Sequence, residues 1–129
     1  MSFEVPQLRR PITLTNRRSV RDVLLGARRI LKEVGWTQGT SRERDTEGYI
    51  VGFCAMGALM AAAGRYTGRT PRAVSKSGVL ALDTASYIQR TCLQRQGLTP
   101  WNDAPQRTHR EVLALFDKAI RLRKRGVRA

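Results

Sequence analysis

Aromatic side chains are scarce in this chain, at 6% of 129 residues. Sheets draw heavily on β-branched and aromatic residues, so a β-sandwich fits poorly. Histidine occurs once, at His109, and cysteine twice, at Cys54 and Cys92. That excludes a Cys/His metal cluster and a disulfide framework, and no motif calls for a metal or cofactor. Both cysteines sit in apolar runs, where a free thiol behaves as a small hydrophobe. The longest apolar stretch, around residues 53–63, is far short of the ~20 residues that span a bilayer. Charges at Glu4, Arg9 and Arg10 leave no apolar core for a secretory signal. The chain also lacks a phosphate-gripping Gly-rich loop and an HExxH pair. A reducing, cytoplasmic setting is expected, and no reaction is specified.

What the chain does have is positive charge. Its 24 basic residues face 10 acidic ones, for a formal net charge of +14. Residues 1–35 hold eight basic and three acidic groups, net +5; residues 105–129 hold eight and two, net +6. Self-repulsion on this scale is relieved by an anionic partner. Nucleic acid, or a complex that carries it, is the first candidate; an anionic membrane or an acidic protein is the second. A plainer source also exists, since 20 of the 24 basic residues are Arg, which GC-rich codon usage favours.

The length suits one domain. Its 41% apolar content, drawn largely from Ala, Leu, Val and Ile, predicts an all-α bundle of about four helices. Residues 1–18 read as an extended basic arm, interrupted by Pro6 and Pro11, which packs through Ile12 and Leu14 or stays mobile. Residues 19–120 read as the helical domain and 121–129 as a basic tail. Ser19 and Asp22 have capping-box spacing. Val20, Val23, Leu24, Ala27, Ile30, Leu31 and Val34 then recur at helical spacing up to Gly35. Residues 36–49 look like a polar connection, with a brief extended piece from Tyr49 to Val51. A second helix over residues 52–63 is apolar all round, as a central helix is. A third runs from about Val79 to Gln94. Pro100 and Pro105 bracket a rigid loop. Thr108 and Glu111 form the capping box of a last helix with Val112, Leu113, Phe116, Ala119 and Ile120 as its stripe.

Four features bear on function. The first is Cys54, near a helix N-terminus that favours a thiolate. Gln38 as an oxyanion donor, with His109 oriented by Asn102 or Asp103, would sketch a nucleophilic site. The sequence favours an inert, buried thiol instead. The second is a pocket walled by Trp36 and Trp101, with Gln38, Cys54, Asn102 and Asp103 converging; the favoured alternative is that Trp101 plugs the core while Asn102 and Asp103 bond local backbone. The third is a phosphate-binding face of Arg17, Arg18, Arg21, Arg28 and Arg29 with Arg121, Arg123, Lys124 and Arg125, continuous if the first and last helices pack side by side. The alternative is a solvated face. The fourth is a helix-turn-helix presenting Arg72 and Lys76, which the long gap from Gly64 to Thr70 disfavours. Asp83 reads as a lone helical acid.

Several segments carry a resemblance: Trp36 with Gln38-Gly39, Phe53-Cys54 with Gly57-Ala58-Leu59, and Trp101-Asn102-Asp103-Ala104-Pro105 with Arg107-Thr108 and Glu111-Val112-Leu113. Over most of residues 20–120 the chain resembles an uncharacterised family of small actinobacterial and actinobacteriophage proteins. The resemblance implies a source and no reaction. The leading expectation is a non-catalytic accessory protein that binds nucleic acid or a nucleic-acid-bearing complex through its Arg faces. The alternatives are a module that modulates a host protein, and a small enzyme using Cys54 or the Asn102/Asp103 loop.

Overall fold

The computed structural model describes residues 2–15, 17, 19–64 and 76–124. The proposed helix-turn-helix falls largely on 65–75, outside the described residues. Within them the architecture is α+β rather than all-α: five helices stand with two small antiparallel ribbons.

The arm is folded back on itself. Strand β1 (Phe3–Glu4) pairs with β2 (Thr13–Leu14). Val5, Ile12 and Leu14 are buried, so burial of these three side chains ties the arm to the domain. Helix α1 (Val20–Glu33) follows the predicted stripe, with Val23, Leu24, Ala27, Ile30 and Leu31 fully buried. Each Leu or Ile buried this way contributes roughly 1.5–3 kcal/mol. Ser19 Oγ accepts the Asp22 N–H at 3.1 Å and so caps the helix.

The polar connection contains the second ribbon. Strand β3 (Arg42–Arg44) pairs with β4 (Ile50–Phe53). Asp45 builds the turn between them: its Oδ1 accepts the N–H of Glu47 at 2.9 Å and of Tyr49 at 3.0 Å. Gly48 supplies a φ of +89° that L side chains rarely adopt. The alternating charges of Arg42, Glu43 and Arg44 are therefore a strand. The extended piece expected at Tyr49–Val51 is the start of its partner and runs on to Phe53, so the second helix begins later than the sequence suggested. That helix, α2 (Ala55–Ala62), has Cys54 as its N-cap.

Helix α3 spans Lys76–Cys92, and α4 (Leu98–Asn102) replaces the first part of the predicted rigid loop. Pro100 is tolerated there because a helix's first N–H groups have no intrahelical partner. Helix α5 (His109–Lys124) opens with the predicted capping box: Glu111 N–H to Thr108 Oγ1 at 3.2 Å, and Thr108 N–H to Glu111 Oε1 at 3.0 Å. The Thr108 hydroxyl, and then its N–H, hold the Glu111 carboxyl below the usual carboxylate range. Helix α2 is the buried centre, packed by α1 and α3, and α1 also packs on α5. No helix among the described residues is long and apolar enough to cross a membrane.

Candidate functional site

Four of the residues expected to line an aromatic pocket, Trp36, Gln38, Asn102 and Asp103, meet around one buried amide. Asn102 is fully buried at the end of α4. Its Oδ1 accepts from Trp36 Nε1 at 2.8 Å and from the Ala55 backbone N–H at 2.9 Å. Its Nδ2 donates to the Thr37 carbonyl at 3.1 Å and to Asp103 Oδ1 at 2.9 Å. Both lone pairs and both N–H groups of the amide are thus used. The bond to Ala55 caps α2 from a residue 47 positions away in sequence.

Gln38 and Asp103 complete the knot. Gln38 Nε2 donates to the carbonyls of Asn102 at 2.9 Å and Ala104 at 2.8 Å. Asp103 Oδ1 also accepts the Gly39 N–H at 3.0 Å. Gln38 spends its amide donors on backbone, which leaves no oxyanion donor. Trp101 is half-buried, packed on the core, and covered by the Arg107 guanidinium 3.9 Å from its ring centroid. Arg107 Nε donates to the Trp101 carbonyl at 2.9 Å.

Cys54 does cap a helix N-terminus, with Sγ accepting the Gly57 N–H at 3.3 Å. Burial nevertheless pushes its pKa up; the Gly57 and Met56 N–H groups pull the other way, and the Asp103 charge adds to the rise. Its side chain forms part of the wall of a cleft of about 320 Å³ shared with Ser41, Met56, Met60 and Asp103. His109 is engaged elsewhere: Nε2 lies 2.7 Å from the Leu31 carbonyl and the ring stacks on Trp36 with centroids 6.2 Å apart. The carbonyl accepts, so Nε2 carries the proton. Among the described residues no hydrogen bond joins Cys54 to His109, and no group of three or more His, Cys, Asp or Glu could hold a metal ion.

The basic candidates divide. Arg28 on α1 pairs with Asp117 on α5. Arg29 pairs with Glu33 at 2.8 Å and donates to the Thr13 carbonyl at 2.9 Å. Arg17 stacks over Phe3 at 4.4 Å and crowds Gly64, just past the carbonyl end of α2, where a cation is favoured. Arg123 turns inward over Tyr87 at 4.9 Å. Arg21 and Arg121 form no ion pair with a carboxylate among the described residues. Arg18, Arg125 and the Lys124 side chain lie outside the described residues. Asp83 is exposed.

The helix pairing decides where Arg21 and Arg121 lie. Leu31 meets His109 and Arg28 meets Asp117, so α1 and α5 run antiparallel. One step of seven residues along each helix, about 10 Å, takes Arg28 to Arg21 and Asp117 to position 124. The start of α1 and the end of α5 therefore share one end of the molecule.

Thr37 and Ala55, which act through backbone atoms, were not among the candidate site residues. Arg107 entered only through the resemblance, and acts by stacking on Trp101 and bonding its carbonyl.

These contacts define a small α+β domain in which a buried asparagine ties two remote loops to a central helix. The chain belongs to a family of unknown function (DUF6197), whose match covers residues 15–122. No curated protein and no solved structure matches it.

Proposed function

We propose that this protein binds a polyanion, with nucleic acid as the natural ligand, through the end shared by the start of α1 and the end of α5. One observation carries the reading. The antiparallel α1–α5 pair puts Arg21 beside the basic end of α5, and neither Arg21 nor Arg121 is offset by a described carboxylate. Beyond Arg123 the sequence continues with Lys124, Arg125 and Arg128. Elsewhere on α1 the guanidinium groups are spent on Asp117 and Glu33. The ligand-facing set is therefore narrower than the full Arg face of the sequence.

No catalytic step is needed. Asn102, Gln38 and Asp103 are engaged in holding loops together, and burial keeps the Cys54 thiol protonated. An accessory protein of an actinobacterium or its phage would meet such a polyanion in the host cytoplasm. Phosphate contact without base reading gives affinity by counterion release, so the complex is of low sequence specificity.

The test is a titration of labelled duplex and single-stranded oligonucleotides at stepped salt. Affinity should fall linearly on a log–log plot, with a slope of about −0.7 to −0.9 per phosphate neutralised. No binding at low salt rejects the reading. Binding that survives high salt points instead to an apolar or protein partner.

A further inference from the structure

At the other end of α1 lies a groove of about 440 Å³, within the size range of small-molecule sites. Its apolar lining comes from Leu8 and Ile12 of the arm, Val34 just past α1, and Ile50 and Val51 of β4. The arm is fixed there by the Ile50 N–H, which donates to the Gln7 carbonyl at 2.8 Å while Gln7 sits at a φ of +67°. That conformation is costly for a residue with a Cβ.

Three charged side chains rim the groove, and two of them are compensated. Arg9 pairs with Asp45 at 2.8 Å and Glu47 at 3.2 Å, and lies over the Tyr49 ring. Glu33 pairs with Arg29 at 2.8 Å. Arg10 is exposed and forms no ion pair with a described carboxylate. A groove with both apolar and polar lining thus carries one cation that has no described carboxylate partner. At the nearby negative end of α1, His109 occupies one of the free terminal carbonyls, that of Leu31.

We infer that this groove binds a small amphiphilic monoanion, a medium-chain carboxylate, with its chain along Leu8, Val34 and Val51 and its head on Arg10. The chain supplies the apolar area and the head meets the one open charge, by a bidentate guanidinium–carboxylate pair. The site is separate from the cationic end of α1 and stands whether or not that end binds nucleic acid.

The experiment is calorimetric titration of the full chain with decanoate below its micelle concentration, decanol below its solubility limit, and acetate, alongside amide NMR shifts. Decanoate should bind saturably, with shifts at Leu8, Val34 and Val51, and decanol and acetate should bind at least about tenfold more weakly. Arg10→Gln should lower decanoate affinity by about tenfold and leave decanol unchanged. Arg10 is exposed, so the variant keeps the fold, which its amide spectrum verifies. Decanoate shifts absent from the groove, equal affinity for decanol, or an Arg10→Gln variant that binds decanoate as well as the parent would each overturn the assignment.

Discussion

Trp36 Nε1 donates to Asn102 Oδ1 at 2.8 Å across 66 residues of sequence. The same oxygen takes the Ala55 N–H, so one acceptor fixes both the exit from α1 and the start of α2. In a low-dielectric interior such a bond is strong when made and costly when broken.

Asn102→Ala leaves the Trp36 and Ala55 donors and the Thr37 carbonyl without their partner. Each buried group left unsatisfied costs about 1–3 kcal/mol, so a total loss of roughly 3 kcal/mol or more is expected in urea unfolding followed by tryptophan fluorescence. Asn102→Asp should be at least as harmful at neutral pH, because it turns a carboxylate toward the Thr37 carbonyl and Asp103. A loss under about 1 kcal/mol for either variant would show that the knot does not hold the loops.

Gly57 lies inside α2, where Ala is ordinarily preferred by about 0.8–1 kcal/mol. Here an added Cβ would sit 2.1 Å from the Ser41 carbonyl oxygen. That carbonyl also accepts the Cys54 N–H at 3.2 Å, so it cannot move without loosening the helix start. Gly57→Ala should therefore destabilise the protein by about 1–3 kcal/mol. A variant that melts above the parent would contradict the close approach.

Cys54 and Cys92 separate the structural thiol from a reactive one. Burial raises the Cys54 pKa, and its side chain is nearly inaccessible. The thiolate is the reactive form, so Cys54 should stay protonated at neutral pH and gain reactivity only as pH rises. In the native protein a disulfide reagent should modify the partly exposed Cys92 first. Preferential modification of Cys54 at neutral pH would revive a nucleophilic role.

Local signals were legible in the sequence where chemistry sits close along the chain. Ser19 and the apolar stripe announced α1, and Thr108 with Glu111 announced α5. Arg42, Glu43 and Arg44 gave no such sign, because a strand without apolar residues shows no burial period and exists only through its pairing with β4. The Asp45–Gly48 turn was the readable hint. For Trp36, Gln38, Cys54, Trp101, Asn102 and Asp103 the sequence offered a pocket and favoured a structural role, with Asn102 and Asp103 bonding local backbone. The remote partners of that role were not legible, because two of the four amide partners are the backbone atoms of Thr37 and Ala55. Of the basic residues, their number was plain, but the pairing of Arg28 with Asp117, 89 residues away, needed the fold.

The central claim concerns place, not total charge. Arg21→Glu with Arg121→Glu reverses two cations at the shared end of α1 and α5. Lys32→Glu with Arg110→Glu changes net charge by the same amount on exposed side chains at the opposite end of those helices. Oligonucleotide affinity measured for both across a salt series should fall strongly for the first pair, with the log–log slope shallower by about 2, and only slightly for the second. Equal losses in the two pairs would mean that binding follows net charge alone, and would contradict a built polyanion site.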